Sequence, residues 1–280
     1  MTTVHVWRAF TKDSAGGNLA GVVLLRTPLA TEQLQKIAHQ AGFSETAFIE
    51  LHPTHQKVRF FTPQKEVALC GHATIASYAF LFTQKFLQSG AHRMECKAGP
   101  QSIHIYADGK VSMSQNLPEF GAVLPPQIIT PALGISTADL HPNLPIQIAS
   151  TGLHKIFVPI RSLKALRSII PNHDSITDIS VTHGAIGMYC YTLETLHNST
   201  AHCRNFAPVV GIFEDSATGT SAAALGTLLF HFDVLPQKHP LELVFEQGYQ
   251  IKEPSELWVQ LEHNGRSIQK VRVEGYACAR

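Results

Sequence analysis

In the first half of the chain, apolar and polar positions alternate in short runs broken by turn residues. Residues 4–10, 21–25, 46–51, 58–61, 102–106 and 111–114 carry β-branched and aromatic side chains at a period near two, which predicts strands. Residues 31–41 follow a different rule. Leu34, Ile37, Ala38 and Ala41 recur at i, i+3, i+4 and i+7, so this stretch predicts a helix, with Thr31 as its N-cap and Gly42 as its stop. Residues 72–87 and 220–232 are helical in composition but apolar nearly all round. They predict two helices buried on every side, each wrapped by a curved sheet.

The segments before these two helices repeat. Arg59-Phe60-Phe61-Thr62-Pro63 and Arg204-Asn205-Phe206-Ala207-Pro208 both read Arg-x-Phe-x-Pro, at an offset of 204 − 59 = 145. Carried forward, the offset sets Cys70 on Asp215, each seven residues past its proline and each expected where a buried helix begins. Carried back, it sets Gly42 on Gly187, each expected to open a strand. Downstream, each helix leads to a strand expected to end in glycine, at Gly99 and Gly248. The offset is about half the chain, which implies two copies of one domain. The expected boundaries are 1–118, with room for a closing strand over 270–280 to join it, and 119–269. The proline-rich stretch 118–131 lacks any period and is expected to be the linker.

Composition narrows the function classes. The chain has 280 residues, 44% apolar and 15% charged, enough for two cores. A net charge of +1 with scattered Lys and Arg offers no footprint for nucleic acid or an anionic membrane. No apolar run reaches the ~20 residues of a spanning helix. Five separated cysteines without a CxxC pair, and an N-terminus that enters a strand at once, fit a reducing cytoplasm better than a disulfide framework. No glycine-rich nucleotide loop is present. His52 and His55 have no further ligand at metal spacing, so no metal site is expected.

Candidate chemistry gathers at the two helix starts, Cys70-Gly71-His72-Ala73-Thr74 and Asp215-Ser216-Ala217-Thr218-Gly219-Thr220-Ser221. Small residues there let a ligand approach unpaired backbone N–H groups, where the helix dipole favours an anion. Plain capping by Ser or Thr is the competing account of the same residues. Glu45, expected where helix passes into strand, is either an exposed strand-end residue or a carboxyl drawn partly out of water and suited to general acid/base work. His72 and Asp215 could complete an acid/base pair. Cys70 has the helix-start position of a reactive thiol, yet the repeat sets Asp215 opposite it, which disfavours a symmetric two-thiol racemase.

These residues also carry a family resemblance. Gly17-Asn18-Leu19-Ala20-Gly21-Val22-Val23, Ser44-Glu45-Thr46-Ala47-Phe48, Phe61-Thr62-Pro63 through Glu66-Val67, and Cys70-Gly71-His72-Ala73-Thr74 resemble signatures of the phenazine-biosynthesis (PhzF-like) isomerases. So do Arg204-Asn205-Phe206-Ala207-Pro208, the run from Glu214 to Thr220, and Gln247-Gly248 with Pro254-Ser255. The resemblance implies an α+β fold of the diaminopimelate epimerase type: two similar domains, each a mostly antiparallel barrel-like sheet around a central helix, with the active site between them. It implies a cofactor-free isomerase, often a homodimer, acting on a small carboxylate-bearing substrate. In the phenazine enzyme that substrate is dihydro-hydroxyanthranilic acid. Carried over, Glu45 is the proton carrier, with His72 and Asp215 assisting. Asn18, Ser44, Gly71, Ala73, Thr218, Gly219, Thr220 and Ser221 are expected to bind substrate. Thr220 stands where the family usually has serine and Ser216 where it has proline, which reshapes the pocket. The alternatives are a single-carbon epimerase using Glu45 with Cys70 or Asp215, and a non-catalytic small-molecule-binding member.

Overall fold

The computed structural model describes residues 3–236 and 238–280. The chain divides into two units, one formed by residues up to Ser114 together with Glu274–Arg280, the other by Gln115–Val273.

In the first unit, β1 (His5–Ala9) and β2 (Asn18–Leu24) pair antiparallel. The helix α1 (Thr31–Ala41) then carries the chain across to β3 (Thr46–Leu51), parallel to β2. Its N-cap is Ala30 rather than Thr31, which is the first helical residue. Gly42 ends it in the left-handed region at φ 69°, as the glycine stop predicts. Next, β3 pairs antiparallel with β4 (Gln56–Phe61), and β4 with the short β5 (Glu66–Val67). The helix α2 (Gly71–Thr83) follows. It leads to β6 (Gly90–Cys96), parallel to β4, and then to the antiparallel β7 (Gly99–Ile105) and β8 (Val111–Gln115).

The second unit opens with β9 (Glu119–Leu124) and α3 (Pro126–Leu133). β9 pairs with β10 (Ile146–Ser150), and β10 with β11 (Lys155–Pro159), both antiparallel. Two helices, α4 (Leu163–Ser168) and α5 (His173–Thr182), cross to β12 (Met188–Thr192), parallel to β11. β12 pairs antiparallel with β13 (Ala201–Ala207), and β13 with β14 (Ile212–Asp215). After α6 (Gly219–His231), β15 (Leu241–Gln247) lies parallel to β13 and antiparallel to β16 (Ser255–His263). β17 (Ile268–Gly275) leads back to the first unit, where β18 (Ala277–Ala279) pairs with β1.

From β1 to β7 and from β10 to β16 the order of antiparallel and parallel pairings is the same. The repeated sequence motif has the same job in each copy. Arg59 grips Glu66 through two bonds of 2.7 and 3.0 Å and lies 5.1 Å over the Phe61 ring. Arg204 grips Glu214 at 2.9 and 2.8 Å and lies 4.9 Å over Phe206. Each clamp ties a strand to the short strand leading into a buried helix, with a planar fork that Lys cannot offer.

Ala73 through Leu81 of α2 and Ser221 through Leu229 of α6 are buried, as an all-round apolar helix requires. Each large apolar side chain so enclosed contributes roughly 1.5–3 kcal/mol. Three expectations are corrected. Residues 118–131 are not an irregular linker, since they hold β9 and most of α3; Pro126 fits the first helical position, where no N–H is needed. Gly99 opens β7 rather than ending the strand before it, at φ 95° in the β6–β7 turn. Gly42 is the stop of α1 and lies before β3 rather than at its start.

Candidate active site

The two buried helices start at Gly71 and Gly219, an offset of 219 − 71 = 148 rather than 145. The three extra residues lie in the β13–β14 hairpin between Asn205 and Asp215, where the register shifts and a 3-10 turn at Pro208–Val210 ends on left-handed Gly211. Strand register gives the true equivalences. Phe60 faces Val67 and Asn205 faces Asp215 across matching strand pairs, so Asp215 corresponds to Val67. Asp215 therefore ends β14 and does not begin the helix. The residue matching Cys70 is Thr218, each the N-cap of its buried helix. A second thiol is still missing from the repeat, now because a threonine stands there.

In the first unit, the turn before β3 and the start of α2 bring Ser44, Glu45 and His72 together. His72 Nε2 lies 3.4 Å from Glu45 Oε2 and 3.4 Å from Ser44 Oγ. Glu45 Oε2 is shielded from solvent yet accepts no hydrogen bond, a costly condition for a carboxylate oxygen that calls for an explanation. Gly71 and Ala73 lie in the first turn of α2, where Cys70 makes no side-chain capping bond. Plain capping thus does not explain these small residues. Asn18 is buried at the first position of β2, opposite Ala9.

Glu45, Cys70 and His72 place one donor atom each within 4.8 Å of one another, the composition of a soft divalent-metal site. Their directions do not suit one. Cys70 Sγ lies 3.5 Å from His72 Nδ1 and 3.9 Å from Nε2. A sulfur in line with either nitrogen's lone pair would be far from the other nitrogen, so this thiol packs beside the ring instead.

In the second unit, Asp215, Thr218, Gly219, Thr220 and Ser221 cluster where β14 passes into α6. The Thr218 side chain makes no capping bond. Its hydroxyl donates to Asp215 Oδ2 and accepts from Asn205 Nδ2 at 2.7 Å and Gln247 Nε2 at 3.1 Å. Gln247 also donates to the Asp215 carbonyl at 2.8 Å, while its own oxygen accepts from the Tyr189 hydroxyl at 2.9 Å. The Thr220 carbonyl accepts from Thr151 at 3.1 Å, and Ser221 Oγ is buried without a hydrogen-bond partner.

Sequence reasoning did not single out Lys155, Asn205, Gln247 or Tyr189 as site residues. Asn205 and Gln247 were visible only as letters within motifs. Lys155 offered one signal, a charge at the head of the apolar run Ile156-Phe157-Val158, but every residue of β11 is buried, so alternation could not mark it. Burial lowers the Lys155 ammonium to about 7, against the opposing pull of Asp215.

Repeated α+β units with ionisable groups gathered at the starts of buried helices define an isomerase scaffold of the diaminopimelate epimerase-like class. The chain belongs to the phenazine biosynthesis-like protein family, whose family model matches residues 7–280. It is 33% identical to an uncharacterized isomerase of Bacillus subtilis, YfhB, over 97% of this chain and 94% of the relative. It is 27% identical to the trans-2,3-dihydro-3-hydroxyanthranilate isomerase of Pseudomonas aeruginosa, over 97% of this chain and 94% of that one. A crystal structure of a PhzF-family phenazine biosynthesis protein from Bacillus anthracis superposes with a TM-score of 0.90 at 28% identity, covering 99% of this chain and 96% of the other. The protein is accordingly an isomerase, with the fold that the resemblance implied. No described helix is long and apolar enough to cross a membrane.

Proposed function

We propose that this isomerase shifts a proton within a small carboxylate-bearing substrate, without a cofactor. Glu45 removes the proton from a carbon beside an activating group and returns it elsewhere, while His72 and Asp215 assist and bind. The observation that carries this reading is Glu45 itself: a carboxylate oxygen shielded from water, without a hydrogen bond, 3.4 Å from an imidazole nitrogen. The first turns of α2 and α6, lacking side-chain caps, supply backbone N–H groups for the substrate carboxylate and for charge developing in the transition state. Asn18 and Ser44 complete the binding set. The Pseudomonas relative's name gives the substrate class to try first. Thr220 in place of the family's usual serine, and Ser216 in place of its proline, adapt the pocket to a different acid of that class.

A symmetric two-thiol racemase is less well supported, because the position that carries the Cys70 thiol in one unit carries in the other a threonine whose hydroxyl donates a hydrogen bond to Asp215. The test is deuterium wash-in. The protein is incubated in heavy water with unsaturated and amino carboxylic acids, dihydro-hydroxyanthranilic acid among them, and followed by NMR. Deuterium entering a carbon position with the wild type but not with Glu45→Gln supports the proposal. Acids that bind but never exchange would favour a small-molecule-binding role.

A further inference from the structure

Lys155 opens β11 in the second unit and is 2% exposed, a buried cation that the reaction as proposed does not use. Its ammonium donates to Asn205 Oδ1 at 2.7 Å; Asn205 Nδ2 donates to Thr218 Oγ1 at 2.7 Å; the Thr218 hydroxyl donates to Asp215 Oδ2. The direction of this chain is set at its head. An ammonium only donates, so Asn205 must turn its oxygen towards Lys155 and its NH2 towards Thr218. Gln247 brings a second donor to the same hydroxyl. With its oxygen accepting twice, the Thr218 hydroxyl has one hydrogen left, and that hydrogen faces Asp215.

We propose that Lys155 is a positioning residue: through Asn205 and Thr218 it holds the Asp215 carboxylate ionised and in one orientation. This rests on the proposed role of Asp215 in substrate binding. The cost of burying a lone ammonium argues for it, since such a charge is retained only where a partner compensates it. The ionisable neighbours do not compete for that partnership. Burial pushes the Cys190 thiol up to about 12 and pushes Cys203 and the Tyr189 hydroxyl up as well, which leaves them neutral. Asp215 is the carboxylate whose charge acts on this ammonium.

The test compares wild type, Lys155→Met and Lys155→Gln as full-length proteins, reading the Asp215 carboxyl carbon and the Asn205 side-chain amide by NMR across a pH titration. Methionine nearly matches lysine in shape and removes both donor and charge; glutamine keeps a donor. In Lys155→Met the Asp215 midpoint should rise by about one pH unit or more, the scale of losing a nearby opposite charge, and the Asn205 amide resonances should move. Lys155→Gln should raise the midpoint but keep the Asn205 resonances near their wild-type positions. If Lys155→Met does not fold, Asn205→Leu breaks the same chain one link on and should also raise the midpoint. An Asp215 midpoint unchanged in the variants that fold would overturn the inference. A separate variant, Asp215→Asn, tests the underlying reading: full deuterium wash-in there would remove Asp215 from the reaction while leaving the titration result standing.

Discussion

Glu45 and Gly187 hold the same place in the two copies of the repeat. The Glu45 carbonyl accepts from the Gly21 N–H at 3.0 Å, and the Gly187 carbonyl accepts from the Ile156 N–H at 3.0 Å, each just ahead of a strand that runs parallel to its neighbour. The side chains cannot match. A Cβ on Gly187 would lie 1.9 Å from the Phe206 carbonyl oxygen, at a φ of 157°. The second copy is thereby barred from carrying a carboxylate where the first carries Glu45, and its own acid, Asp215, comes from a position that is Val67 in the first.

This asymmetry predicts very different costs for two glycine substitutions. Gly187→Ala should abolish folding or cost more than about 4 kcal/mol, because backbone rather than a mobile side chain blocks the methyl group. Gly42→Ala should cost about 1 kcal/mol, since a Cβ there meets nothing within 4 Å and only the left-handed φ opposes it. Denaturant midpoints of the two variants check both values.

Glu45→Gln should reduce deuterium wash-in by about 10²–10⁴-fold, the usual worth of one general acid/base, without lowering thermal stability. Cys70→Ser should stay within about tenfold of wild type, because the sulfur packs beside the His72 ring rather than in line with either nitrogen. A loss as deep as that of Glu45→Gln would instead place the thiol in the reaction.

Glu246 should contribute stability that disappears in acid. Although burial pushes its carboxyl up, the bonds from His202 (2.6 Å), Leu196, His197 and Ser199 bring it down to about 2 from an ordinary 4.5. A depressed folded-state value means that the contribution is complete above about pH 4.5 and is lost as pH falls towards 2. Glu246→Gln should destabilise the protein at pH 7 by on the order of 3 kcal/mol and flatten this acid limb in urea titrations at pH 3–6.

Lys155 should act with the same sign in a higher pH window. Between its folded value of about 7 and its ordinary 10.5, the unfolded chain holds a proton that the folded one has released, so stability rises with pH. Above the ordinary thiol value of 9 the buried Cys190 and Cys203 work against this, since each stays protonated longer in the folded state. The rise should therefore appear between pH 7 and 9 and be absent from Lys155→Met when unfolding midpoints are compared.

The repeat was legible, but its count slipped by three residues. Arg59 and Arg204 stand in the same motif and perform the same clamping, because the strand that carries each has no insertion. Beyond the proline, the turn at Pro208–Val210 lengthens one copy, and only strand pairing shows that Asp215 answers to Val67 and Thr218 to Cys70. Residues 119–133 were hidden for another reason. Proline there reads as a break, yet Pro126 occupies the one helical turn that needs no N–H, and β9 takes its order from β10, remote in sequence.

Sequence alone determined the local elements and the membership: the amphipathic α1, the two helices apolar on every side, the repeated motif and the residues that carry the family signature. The elements follow from periodicity, composition and short-range steric rules, which act within a few residues, and the membership from the order and spacing of the signature motifs along the chain. The tertiary structure alone decided the chain from Lys155 through Asn205 and Thr218 to Asp215, and the exclusion of any side chain at Gly187. Hydrogen-bond direction and close backbone approach depend on atoms brought together from distant strands, and no spacing along the chain encodes where those atoms meet.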